Sequence, residues 1–320
     1  MVRFANRDDF DWLKNVWKIA FNDPDEFINW NFEKNFSFEN TLLAEKDGVP
    51  ASNMQLMEHN IILRGTEYPI NYVSGVATLP EFRKMGLVRE MFQFSFEEMK
   101  KRNQHISLLI PFNYEFYEQF GYKQCYNKTC RYIKELPKEG VIGEEGDISG
   151  LIPVLDKLYK KEMRNKNGYA LRKSGDWHKI LEDTLKISKG KVILNNDKSG
   201  YAILALGDSG GWEIEEICGG LSMDFETEVK PQAMARIINP LPILKNMAEN
   251  FKGEFTIKIH DENIKENNIS LLIKDKTVTK VQGACDTEID IKELAQFIFG
   301  FCEDKTGFFT KEDNYLRLIF

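Results

Sequence analysis

Histidine and cysteine are scarce in this 320-residue chain, which has four of the first and five of the second. The cysteines stand at 125, 130, 218, 285 and 302 with no C-x-x-C among them, and no histidine near Cys125 and Cys130 completes a zinc site. Scattered thiols in odd number suit a reduced, cytoplasmic protein better than a disulfide scaffold. None of His59, His105, His178 and His260 lies in a motif, so neither histidine-based catalysis nor a metal site is expected. Long apolar runs are missing too. No stretch approaches the roughly 20 residues that cross a bilayer, and the opening MVRFANRDDFDW lacks the apolar core of a signal peptide. The expectation is a cytoplasmic protein with no membrane contact. Excess positive charge is also absent. The net charge is −7, which argues against a nucleic-acid partner held by bulk charge.

What is present is length and a strong α/β rhythm. A chain of this size is too long for one ordinary core and is expected to form two or three domains. Apolar residues at helical spacing (Phe10, Leu13, Val16, Trp17, Ala20, Phe21) follow a short strand at Val2–Ala5, and Asp23-Pro24-Asp25 breaks that helix and opens another. Strands are expected near Thr41–Glu45, Ala51–Leu56 and Ile61–Leu63. Tyr126–Lys134 reads as the strand that closes this first domain, and the Gly-, Glu- and Pro-rich stretch Glu135–Gly150 reads as a linker. Downstream come a helix carrying Leu155, Leu158, Tyr159 and Met163, and strands at Lys191–Leu194 and Tyr201–Leu206. Amphipathic strands then follow at Phe255/Ile257/Ile259 and Leu271/Ile273, with a helix opened by Asp290-x-x-Glu293.

Two segments carry the chemistry. In NYVSGVATLPEFRKMGLVR (Asn71–Arg89) an apolar strand breaks into a basic, glycine-bearing turn and then starts a helix. The free N–H groups of such a turn and helix start point at an anion, and Arg83 and Lys84 add positive charge, so the layout suits a phosphate-bearing ligand. Gly86 lets the backbone approach that ligand, and Gly75 allows a bulge in the strand. In ISLLIPFNYEFYEQFGY (Ile106–Tyr122) a second short strand ends at Pro111 and leads into an aromatic helical turn closed by Gly121.

Together these segments resemble the acetyl-CoA-dependent N-acetyltransferases of the GNAT superfamily. With MARIINP (Met234–Pro240), DTEIDIKELAQFIFGF (Asp286–Phe301) and the aromatic Phe320 behind them, the whole chain resembles the Eis (enhanced intracellular survival) family. That resemblance implies an α+β or α/β fold in three parts. A GNAT acetyltransferase domain spans residues 1–137, a shortened GNAT-like middle region 146–222, and a sterol-carrier-like C-terminal domain 230–320. It implies acetyl-CoA as co-substrate, bound by Val76, Thr78, Arg83, Lys84, Gly86, Leu87 and Val88, with Val88 standing where the family usually carries a smaller residue. It implies no metal, and a homo-oligomer, hexameric in the family.

Acetyl transfer to an amine requires a polarised thioester carbonyl, a neutral amine and a proton for the departing thiolate. The resemblance puts the carbonyl on backbone N–H groups at Val76 and Thr78 and the proton on Tyr117. A phenol with an ordinary pKa of about 10 holds that proton at neutral pH. Tyr122 is the competing phenol. For the amine, Asp25, Glu26 and Glu58 are acidic candidates, and the resemblance adds the C-terminal carboxylate of Phe320, orienting the ammonium or relaying its proton. The acceptor class implied is polyamine-like compounds, aminoglycosides or protein lysines. The reading from a different class is a non-enzymatic carrier of an apolar ligand in the C-terminal domain.

Overall fold

The computed structural model describes residues 1–143, 146, 148–207, 210–221 and 223–318. The first part of the chain runs β1 (Val2–Phe4), α1 (Phe10–Phe21), α2 (Asp25–Lys34), β2 (Thr41–Lys46), β3 (Val49–Leu63), β4 (Thr66–Thr78), α3 (Leu87–Lys101), β5 (Ile106–Leu109), α4 (Tyr114–Glu118) and β6 (Lys123–Gln124). The second part contains β7 (Asn127–Ile133), β8 (Val141–Ile142), α5 (Ile148–Met163), β9 (Tyr169–Ala170), α6 (Ser174–Glu182), β10 (Lys191–Leu194), β11 (Gly200–Leu206), β12 (Trp212–Gly219) and β13 (Glu226–Pro231). The third contains β14 (Met234–Ile237), α7 (Pro240–Ala248), β15 (Glu254–His260), β16 (Ile269–Lys274), β17 (Thr277–Lys280), β18 (Thr287–Asp290) and α8 (Ile291–Phe299). Helices and sheets of this mixture make the α+β architecture expected.

Strand pairing does not respect sequence order. The first sheet reads β1-β2-β3-β4-β5-β14-β6, so a strand from residues 234–237 is inserted between β5 and β6, and β9 adds to β3. The second sheet, β13-β7-β12-β11-β10-β8, is antiparallel throughout. Thus the strand read as closing the first domain belongs to the second sheet instead. β7 and β13 pair from Asn127↔Pro231 to Tyr132↔Glu226, one carrying the chain out of the first sheet and the other bringing it back. Alternating apolar positions identify such a strand, but which sheet takes its edges is decided by segments about 100 residues apart. β13 is exposed along its whole length, so burial gave it no sequence signal. The two strands expected at Ala51–Leu56 and Ile61–Leu63 are one 15-residue strand, because Glu58, His59 and Asn60 keep their pairing with Asn71, Ile70 and Pro69.

The first sheet is covered on both faces. On one, α3 and the aromatic segment around α4 bury Met91, Phe92, Phe96, Tyr117 and Phe120 against Leu42, Met54 and Val73. On the other, α7, α8 and the third sheet (β17-β16-β15-β18) bury Ile257, Leu271, Leu294 and Ile298 against Ile61, Ile70 and Ile106. Asp290 caps α8 through the Lys292 amide, and Asn239 caps α7 through that of Leu241 with Pro240 at the first helical position. A buried ion pair fastens the layers together. Both Asp261 oxygens accept from Nη2 of Arg236 on β14, at 2.7 and 2.6 Å, and both side chains are fully buried. No helix among the described residues is long and apolar enough to cross a membrane.

Candidate active site

β4 and β5 run parallel and pair at Ile70↔Ile106, Asn71↔Ser107 and Tyr72↔Leu108. Beyond Tyr72 they part: β4 continues to Thr78 and β5 stops at Leu109. Just where they separate, β4 bulges. Gln55 faces Ser74 but Asn53 already faces Ala77, leaving Gly75 and Val76 together opposite Met54, with Gly75 at φ +57°. A side chain at 75 would be strained by that φ and would meet the Trp17 ring at 2.6 Å from its Cβ, so glycine is required twice over. The Asn53 amide, donating to the Gly75 carbonyl at 2.8 Å, fixes the bulge.

Hydrogen-bond parity then sets where β4 points its amides. Leu79 donates to Ala51 on β3, and Ala77 lies two residues earlier on the same side. Thr78, between them, faces the other way and turns its N–H group toward the side from which β5 has departed. The strand leads into Pro80–Phe82, a single 3₁₀ turn, and then to Arg83, Lys84 (φ +64°) and Gly86 (φ +84°), all exposed, before α3 begins at Leu87. Leu87 is buried and Val88 half-buried against the α3 core, which anchors the helix start while its first amides stay unpaired within the helix. The result is an exposed, positively charged helix N-terminus beside an opened strand pair.

Across the opening lies α4. Asn113 caps it by accepting from the Phe116 amide at 3.0 Å. Tyr117 is buried among Phe92, Phe112, Phe116 and Tyr122, and that burial pushes its phenol up to about 12. Tyr122 is fully buried and its hydroxyl bonds Ser107 Oγ at 2.6 Å, which commits it to the sheet. Gly121 ends the segment at φ +81°, and a Cβ there would sit 2.5 Å from the guanidinium of Arg236, so the glycine lets the β14 ion pair pass beneath α4.

The acidic candidates do not converge. Asp25 is exposed and paired with Lys18 at 2.8 Å. Glu26 borders a shallow pocket with Phe27 and Ile187. Glu58 borders a separate cavity and accepts from Arg102 and Gln104, each at 3.2 Å. Phe320 lies outside the described residues.

A larger cavity, about 670 Å³, opens beside Ile110 and Tyr114, at the far end of β5. Its other walls come from the second part and the tail, with Asp183, Glu213, Glu215 and Arg317 among them. Burial raises Asp183 above the usual carboxylate range. Sequence reading missed these four residues, because they lie in no motif and meet only through the crossing of β7 and β13. The tail reaches this place along a defined track. Asn167 donates its amide to Asp313 and accepts from that of Tyr315, Asn314 Nδ2 donates to Cys125, and Gln232 Nε2 donates to Leu316. Leu318 then lines the cavity.

Residues 1–125 match the family model described as an acetyltransferase (GNAT) domain. They are a GNAT acyltransferase domain. Solved structures resemble the chain over its full length. A GCN5-related N-acetyltransferase from Anabaena variabilis has a TM-score of 0.79 at 18% identity, covering 100% of both chains. Eis1 from Mycobacterium abscessus has a TM-score of 0.77 at 12% identity over 99% of each. A GCN5-related N-acetyltransferase from Kribbella flavida has a TM-score of 0.74 at 13% identity, over 99% of this chain and 97% of that one. At these identities the likeness is one of fold. No curated protein sequence matches the chain. The bulge, the parted strands and the basic turn lie within residues 1–125, and the parts behind them supply most of the cavity wall.

Proposed function

We propose that the protein transfers an acetyl group from acetyl-CoA to the primary amine of a small acceptor, as the resemblance to the Eis family suggests. The observation that carries this reading is the bulge of β4 beside the parted end of β5, with the exposed Arg83–Gly86 turn on one side and buried Tyr117 across the gap. The turn and the start of α3 suit the pyrophosphate, since free amides and two cations meet there. The N–H groups of Val76 and Thr78 suit the thioester carbonyl, whose oxygen gains charge as the amine attacks.

In the reaction the amine nitrogen bonds to the acyl carbon, the carbon–sulfur bond breaks, and the sulfur takes a proton. Tyr117 is the donor in this proposal, and its elevated pKa keeps the phenol protonated across the neutral range. The larger cavity brings the C-terminal tail beside the end of β5. The carboxylate of Phe320 orients the amine or takes its proton. Leu318, two residues earlier, already lines that cavity, and two extended residues reach roughly 7 Å. The carrier alternative draws no support from the third part, where Ile257, Ile259, Leu271 and Ile273 fill its core with almost no exposure.

The test is release of free thiol from acetyl-CoA against a panel of polyamines, aminoglycosides and lysine peptides, together with acetyl-CoA binding by calorimetry. Neither binding nor turnover with any amine would defeat the reading.

A further inference from the structure

A second cavity, about 180 Å³, lies between the first and second parts of the chain, beside Gln55, Met57 and His59 of β3. Gln55 and His59 reach it from alternate positions of one strand, and Asp176 and Lys179 face them from α6. Gln55 is 3% exposed, yet its Nε2 has no hydrogen-bond partner among the described residues, and neither does Nε2 of His59. Buried polar atoms are normally satisfied, so two orphans at one cavity wall mark a place where a ligand completes the bonding. Lys179 shares that wall. Burial draws its ammonium below the ordinary range and Lys34 adds to this, with Asp176 acting in the opposite sense. An anion seated there would offset both effects.

The opposite charge is also at hand. Asp176 accepts the Lys173 amide on one oxygen, and Glu58 borders the cavity while holding Arg102 and Gln104. The cavity thus offers donors for a carboxylate and acceptors for an ammonium. Its position connects it to the chemistry, since Gln55 is the cross-strand partner of Ser74, the residue before the bulge.

From this arrangement we infer that the cavity binds the zwitterionic head of a free diamino acid. Gln55 and Lys179 take its carboxylate, Asp176 and Glu58 its α-ammonium, and its side-chain amine extends toward the β4 bulge. This rests on the acetyl-transfer reading and narrows its acceptor class.

Lysine, lysinamide, cadaverine and Nα-acetyllysine offer nearly the same reactive amine with the head groups removed in turn. With the full chain, kcat/KM for lysine should exceed that for lysinamide and cadaverine by roughly tenfold or more, as expected for a charge-assisted contact. K179M should bring the lysine-to-cadaverine ratio to about one, mainly through the KM for lysine, and K179R should keep most of the preference. Lys179 is partly exposed on α6, so this variant folds even if Gln55→Met in the sheet does not. Equal use of lysine, lysinamide and cadaverine, or an unchanged ratio in K179M, overturns the inference. If no amine turns over, the acetyl-transfer reading falls by itself, and titration calorimetry decides the cavity. Binding of lysine that K179M abolishes upholds the head-group site, and absence of binding to the parent protein rejects it.

Discussion

Two sets of arginines in this molecule have opposite surroundings. Arg172 and Arg236 are buried with carboxylates, whereas Arg83 stands in the open with Lys84 beside it. Arg172 gives two hydrogen bonds to Glu216, at 2.8 and 2.6 Å, and its guanidinium lies 3.9 Å from the ring centroid of Tyr159 and 4.7 Å from that of Trp177. Tyr201 and Tyr315 donate to the same carboxylate at 2.6 and 2.8 Å. That network ties the tail to the second sheet. By contrast, among the described residues Arg83 makes only a long contact, to the Thr78 carbonyl at 3.3 Å. A cation with an internal partner builds the frame. A cation left in water beside free amides is available to a ligand.

Breaking the buried pair should have the largest effect. Glu216→Gln or Arg172→Met leaves one charge uncompensated in the interior, and thermal or denaturant unfolding should show a loss of about 3–5 kcal/mol. Replacing both together should cost less than either alone. Equal stability of the single variants and the parent would remove the contrast. Acid titration checks the same network. Arg172 and Glu216's other hydrogen-bond donors outweigh burial and hold its carboxyl down at about 2. Its folded pKa lies below the unfolded value, so this stabilisation is full above about pH 4.5 and is lost as pH falls toward 2.

Next comes Tyr117→Phe, which deletes one hydroxyl from an aromatic cluster. Turnover should fall by roughly 10²–10⁴-fold with folding intact. Because burial raises this phenol to about 12, the parent's kcat should show no alkaline decline near pH 10 from loss of the acid. An unchanged rate in the variant would leave solvent as the proton source.

At the exposed turn the expected loss is smaller. Arg83→Ala and Lys84→Ala should each weaken acetyl-CoA binding by about 1.5–3 kcal/mol, without lowering the unfolding midpoint. The deficit should shrink for analogues that lack the pyrophosphate. If both variants bind like the parent, the turn is not a phosphate cradle, and openness alone does not mark a functional cation. Smallest of all, Asp25→Asn should leave turnover where it was, because that carboxylate is exposed on its surface pair with Lys18. A clear loss of activity there would return Asp25 to the acceptor site.

Local pattern made much of the first sheet legible. The strand-turn-helix from Asn71 to Lys101, the bulge at Gly75 and the aromatic turn after Pro111 each depend on residues close in sequence, so spacing and turn chemistry were enough to read them. The helix starts at Leu87 because Gly86, at positive φ, forms the cap. The cap of α8 at Asp290 is equally local, although the bond goes to the Lys292 amide and not into a reciprocal box with Glu293. These are decisions that dihedral preference and a few neighbouring hydrogen bonds make by themselves.

Strand exchange was not legible, and the cavities depend on it. The same alternating pattern lets Asn127–Ile133 close either sheet, and only its pairing with Glu226–Pro231 assigns it to the second. Met234–Ile237 stands out in the sequence only by resemblance, and its place between β5 and β6, with Arg236 passing under Gly121, is set by pairing alone. Asp183, Arg317 and the orphan amide of Gln55 gain meaning from groups brought beside them by tertiary contact, since a side chain's protonation and unmet hydrogen bonds are properties of its surroundings. The sequence by itself determined the acyl-transfer motifs and the strand and helix that present them. The tertiary structure decided which carboxylates are buried, which cations are left without partners, and where an acceptor can approach, because those depend on desolvation and pairing between segments far apart in the chain.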